Sequence, residues 1–146
     1  MQKRFTLAEA QRLVPEVDRL LSEAVELKTE FDGAEQAQQS FTEKVMMMGG
    51  VVVDRTRALE RRKAREEALA KLRSAIERVQ ELGCVVKDLD TGLVDFPTVF
   101  RGEDVYLCWK LGEPAIEFWH RIEDGFRGRK AIDADFLANH HGESEE

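Results

Sequence analysis

The stretch that decides the fold runs from Gly83-Cys84-Val85-Val86-Lys87 through Gly92-Leu93-Val94-Asp95-Phe96-Pro97 and Gly102-Glu103-Asp104-Val105-Tyr106-Leu107-Cys108-Trp109 to Gly112-Glu113-Pro114-Ala115-Ile116-Glu117-Phe118-Trp119-His120. Glycine returns at 83, 92, 102 and 112, every nine or ten residues. That is the interval of short antiparallel strands joined by tight turns. The residues between the glycines are rich in β-branched and aromatic side chains, which suit a pleated, half-buried surface. Asp90-Thr91-Gly92, Arg101-Gly102-Glu103-Asp104 and Gly112-Glu113-Pro114 supply the turn chemistry. A four-stranded antiparallel meander over 84–87, 93–96, 105–109 and 115–120 follows.

Upstream of Gly83 the apolar period is helical. Thr6-Leu7-Ala8-Glu9 is a capping box, in which hydroxyl and carboxylate each accept a backbone N–H left free at a helix start. Behind it Leu13, Val17, Leu20, Ala24, Leu27 and Phe31 recur at three and four, and Val14 and Leu21 widen the stripe. These residues predict one long helix that ends near Gly33 and bends at Pro15, which lacks the N–H that would pair with the Gln11 carbonyl. A second helix is expected over 54–82, with Leu59, Leu69, Leu72, Ile76, Val79 and Leu82 on one side and Gly83 as its C-terminal cap. Residues 34–53 are divided, because Gln36, Gln38 and Gln39 favour helix while Met46-Met47-Met48-Gly49-Gly50 reads as a helix end packed on the core.

The fold class is therefore α+β: a long antiparallel helical hairpin of two to three helices, packed with a small four-stranded antiparallel sheet. The chain has 146 residues, 42% of them hydrophobic, enough for one domain with a real core. That domain is expected over 1–139, with a helical half at 5–83 and a sheet half at 84–139, followed by a disordered acidic tail over 140–146. No apolar run approaches the twenty or so residues that cross a bilayer. The charged start Met1-Gln2-Lys3-Arg4 has no apolar segment behind it, and the two cysteines are too far apart for a disulfide framework or a zinc ribbon. Free thiols in the cytoplasm are the expectation.

The net charge of −7 is uneven: residues 1–50 carry 6 Lys/Arg against 9 Asp/Glu, residues 51–73 carry 8 against 4, and residues 74–146 carry 8 against 16. An acidic whole argues against nucleic-acid binding, which needs a concentrated positive face. The one basic segment, Arg55, Arg57, Arg61, Arg62, Lys63 and Arg65, points its side chains all round a helix, as a solvated surface does. Serine occurs only at 22, 40, 74 and 144, outside the aromatic-rich half, which speaks against a serine hydrolase. Neither common phosphate-binding glycine motif occurs, nor C-x-x-C or H-E-x-x-H, and His140 and His141 fall in the expected tail.

Several short motifs carry a resemblance. Val86-Lys87-Asp88, Gly92-Leu93-Val94-Asp95-Phe96-Pro97, Tyr106-Leu107-Cys108-Trp109, Gly112-Glu113-Pro114, Trp119-His120 and Gly125-Phe126-Arg127-Gly128-Arg129 occur in that order, preceded by Phe5-Thr6-Leu7 and Leu13-Val14-Pro15. Together, over about residues 4–132, the chain resembles the prokaryotic family of uncharacterised conserved proteins catalogued as domain of unknown function 2203. The resemblance implies one cytosolic domain and assigns no catalytic residue.

Chemistry in the sheet half rests on a few side chains. Asp95 lies between Val94 and Phe96, so a strand turns it to the opposite face, either to solvent or to a second, functional surface. Cys108 reads as a small buried hydrophobe with Lys110 as the close cation in sequence. Among Arg127, Arg129 and Lys130, a basic turn pairing with the acidic sheet is the reading preferred to an anion site. His120 shares a side with Ile116 and Phe118, where an imidazole needs a partner such as Asp95, Glu113 or Asp124. A hydrogen-bonded core histidine is one reading and a site is the other. The catalytic candidates are Asp95, Glu113 and His120; the metal candidates are the same three with Cys108, and a divalent metal is the cofactor such a set would hold. The leading functional reading is a non-enzymatic interaction or scaffold protein, a homodimer through its helices, because the stripe of Leu13, Val14, Leu20, Leu21 and Leu27 is wider than a small sheet covers. The alternative is a small enzyme or metal-binding module. Convergence of the candidate side chains in one place favours the second; scatter favours the first.

Overall fold

The computed structural model describes residues 3–49 and 55–143. Gly50 and Asp54, expected in the break between the helices and at the start of the second, lie outside the described residues, as do residues 144–146 of the expected tail. Helix α1 spans Leu7–Met47 and α2 spans Arg55–Glu81. They run antiparallel, since Arg78 reaches Glu23 while Arg65 approaches Glu35 and Arg61 bonds the Ala37 carbonyl. The sheet is built from β1 (Val85–Asp88), β2 (Leu93–Phe100), β3 (Glu103–Lys110), β4 (Phe118–Arg121) and β5 (Lys130–Ala131) in sequential antiparallel order. A short helix α3 (Ala134–Asn139) then leads into β6 (His140–His141), which pairs with β2.

The α+β class holds, and the sheet has six strands where four were expected. The extra two are two-residue strands that no periodicity announces. The four expected strands are present with shifted ends. The last, β4, begins only at Phe118, because the Ile116 N–H leaves the ladder and donates to Gln11 Oε1 at 2.8 Å.

The capping box forms as read: Glu9 N–H donates to Thr6 Oγ1 and Thr6 N–H to Glu9 Oε1, at 3.1 and 3.0 Å. Helix α1 does not stop near Gly33 but continues to Met47. Glycine inside a helix costs about 1 kcal/mol relative to alanine, and the antiparallel partner α2 holds the ladder past it. Nor do Met46, Met47 and Met48 pack on the core; the helix ends there with all three exposed. At Gly83, after α2, φ is +102° and a Cβ would lie 2.9 Å from the Phe5 ring, so both conformation and close approach require glycine.

Pro97 sits inside β2 without breaking it. Its carbonyl accepts the Phe5 N–H at 2.7 Å, on the edge between the stretches of β2 paired to β1 and β6. The missing proline N–H therefore points to that edge and away from β3, where no ladder bond is lost.

The disordered tail expected from residue 140 does not begin there. His140 Nε2 accepts the Leu7 N–H at 3.0 Å, and its ring stacks on buried Phe136. The segment is thus bound to the start of α1, 133 residues away in sequence. The stripe of α1 is covered from within: Val14, Leu20 and Leu21 are buried in a core with Val79, Val94, Phe96, Leu107 and Trp109. Among the described residues, no helix is long and apolar enough to cross a membrane.

Candidate metal centre

The face of the sheet toward the helices is apolar. The other face is also buried, and it carries the candidate residues. In the ladder Asp95 of β2 lies opposite Cys108 of β3, Cys108 lies opposite Phe118 of β4, and Tyr106 lies opposite His120. Asp95, Cys108 and His120 therefore point the same way from three adjacent strands. Two strand spacings separate the β2 and β4 backbones by about 10 Å. The Asp95 and His120 side chains cross that distance over β3, where Cys108 stands opposite Asp95 and Tyr106 opposite His120.

His120 Nε2 lies 3.0 Å from Asp95 Oδ1, and Nδ1 lies 2.8 Å from the Arg121 carbonyl oxygen. A carbonyl can only accept, so Nδ1 carries a hydrogen, and the Asp95 contact shares a second proton between ring and carboxyl. Burial is the largest single influence on His120 and opposes its charge, but the hydrogen bond to Asp95, the Arg121 carbonyl and the Asp95 charge together raise its pKa, with Lys87 opposing. Asp95 is 1% and His120 2% exposed, and Asp95 Oδ2 is buried without a partner.

Cys108 completes the group. One ligand atom from each of Asp95, Cys108 and His120 lies within 4.8 Å of the other two. Burial first, then the Asp95 charge, pushes the Cys108 thiol up to about 12, with Arg129 opposing, so it is a neutral thiol as it stands. Cys84 is a separate buried thiol, pushed up to about 11 by burial; it bonds the Val79 carbonyl and takes no part in the group.

Glu113, the remaining candidate, is near but occupied. Its carboxylate accepts the Lys110 N–H and Arg129 Nη2, each at 2.6 Å, and among the described residues it is not a member of the metal-ligand group. Arg129, read from sequence as part of a basic turn pairing with the acidic sheet, does so here. Its guanidinium lies over the Phe118 and Phe126 rings at 4.1 and 4.8 Å and also contacts the Cys108 carbonyl. This clamp draws the 3-10 turn Phe126–Gly128 toward β3 and β4 beside the site.

The family model of the uncharacterised conserved proteins called DUF2203 matches residues 3–132. The chain belongs to that family. The match includes all three members of the buried group and the Glu113–Arg129 clamp, and it stops before α3 and β6. No curated protein and no solved structure matches the DUF2203 chain.

Proposed function

We propose that this protein is a metal-binding module that holds one divalent transition-metal ion on Asp95, Cys108 and His120. The observation that carries this reading is the convergence of three buried donors from three adjacent strands, one of whose oxygens, Asp95 Oδ2, has no partner. A thiolate, an imidazole and a carboxylate together suit zinc and its neighbours better than magnesium or calcium, which take oxygen alone. A tetrahedral zinc with bonds of about 2.0–2.3 Å keeps its ligand atoms about 3.3–3.8 Å apart, and the three donors, all within 4.8 Å of one another, approach that spacing. His120 already has the orientation a metal ligand needs, its other nitrogen tied to a backbone carbonyl.

Charge balance supports the same reading. Carboxylate, imidazolium and thiol sum to zero, as do carboxylate, neutral imidazole, thiolate and one divalent cation. One ion thus replaces two protons without leaving net charge in a buried place. With all three side chains almost inaccessible, the arrangement favours an ion held to tie β2, β3 and β4 together over one that turns over a substrate. The free, buried cysteines suit a reducing compartment, and we place the protein in the cytoplasm on that ground.

The test is metal content in protein purified without a histidine tag and equilibrated with zinc before dialysis. One ion per chain is expected in the wild type, and loss of it in Asp95→Asn, Cys108→Ala and His120→Gln. Wild-type protein that retains no ion, or a Cys108→Ala variant that retains it fully, overturns the proposal.

A further inference from the structure

The outer part of the helical hairpin is built differently from the rest. Beyond Ala24 on α1 and before Ala68 on α2, no described residue is buried. The arm of α1 from residue 25 to 47 is about 35 Å long at 1.5 Å per residue. Its seam with α2 is made of rings and guanidinium groups: Arg61 lies over Phe41 at 4.7 Å and Arg65 over Phe31 at 5.2 Å. Such contacts contribute about 0.5–1 kcal/mol each where water reaches them. Helices in water draw most of their stability from burying an apolar face, so two helices with one half-wet seam lack a second layer.

Three features describe what would supply it. Residues 28–47 of α1 carry 4 Asp/Glu against 2 Lys/Arg, whereas residues 55–67 of α2 carry 6 Lys/Arg against 3 Asp/Glu. The arm is thus acidic on one helix and basic on the other, which makes it complementary to itself. An open groove of about 760 Å³ runs between the helices, lined by Glu35, Gln38 and Glu43 of α1 and Arg62 and Glu66 of α2, and Gln38 Oε1 in it is a buried acceptor without a partner. One helical turn further out from Glu43 and Arg62 stand Met46, 76% exposed, and Leu59, 65% exposed.

We propose that a second copy of this chain completes the arm, the two hairpins packing around a two-fold axis as a four-helix bundle. In such an isologous contact each acidic α1 arm lies on the basic α2 arm of its partner, twice by symmetry, and Met46 and Leu59 are buried at the ends. The surface used is not the inner stripe of α1, which the sheet already covers. It is also separate from the buried group of Asp95, Cys108 and His120, so dimerisation and metal binding fail or succeed independently.

Sedimentation velocity of the full chain at micromolar concentration tests the proposal, with far-UV circular dichroism to report folding. A dimer is expected for the wild type. Met46→Glu with Leu59→Glu should raise the dimer dissociation constant at least tenfold while leaving helix content unchanged, since both side chains are exposed in the single chain. Arg62→Glu, which removes no apolar contact, should weaken the dimer less and in a salt-dependent way. A wild type that stays monomeric, or a dimer that neither variant weakens, overturns it.

Discussion

Both faces of the sheet are buried, and they are buried by different means. The face toward the helices carries Val94, Phe96, Leu107, Trp109 and Trp119. The other carries Asp95, Cys108 and His120 beside Tyr106 and Val99. Apolar burial on the first face stabilises the fold at about 25 cal/mol per Å². Burial of a carboxylate and an imidazole has the opposite sign unless they pair, and apolar side chains of the same volume are often as stable or more so. Stability alone accounts for the first face; on the second, the pairing of Asp95 with His120 offsets the cost of their burial without making it a gain over apolar packing. The metal site we propose would give the polar group on the second face a role of its own.

The largest expected effect comes from breaking the second face. His120→Ala leaves Asp95 buried without its partner and should lower the unfolding free energy of metal-free protein by about 3–5 kcal/mol, read from urea denaturation. A loss below about 1 kcal/mol would mean that water enters, and the contrast between the faces would be gone. On the first face Leu107→Ala opens a cavity and should cost about 2–5 kcal/mol, with metal content per folded chain unchanged. If that variant loses its ion as well, the faces are not independent.

Smaller effects sharpen the contrast. Cys108→Ala removes one sulfur from a packed site and should cost about 1 kcal/mol in the metal-free protein, yet abolish metal retention. A side chain whose loss barely changes stability but removes the ion is the signature of a ligand. The smallest effect is kinetic. With Cys84 and Cys108 pushed to about 11 and 12 and both buried, neither should react with a disulfide reagent at pH 8 in the native metal-free protein, and both should react once it is unfolded. Fast labelling of Cys108 in the native state would place it in reach of solvent.

Much of this contrast can be read in the sequence, because it follows from local rules. Alternation turns Asp95 away from Val94 and Phe96, and it places His120 where one of three named carboxylates has to meet it. The capping box at Thr6 and the cap at Gly83 are equally local. The features that escape such reading depend on distant partners. Nothing near Glu113 in the chain says that Arg129, 16 residues on, will occupy it. His140 becomes part of the fold through a hydrogen bond to Leu7, and α1 outlasts Gly33 because α2 lies against it. That the second face is closed to water depends on chain from outside the strands, including the turn clamped by Arg129, to which a period of two is blind.

Cobalt titration of the metal-free wild type tests the central claim most directly, because a thiolate bound to cobalt(II) absorbs strongly in the near ultraviolet and a carboxylate or imidazole does not. The account predicts absorption that saturates at one cobalt per chain, with visible bands of tetrahedral strength, and its loss in Cys108→Ala. No absorption up to several equivalents of cobalt, or the same absorption in Cys108→Ala, would contradict it.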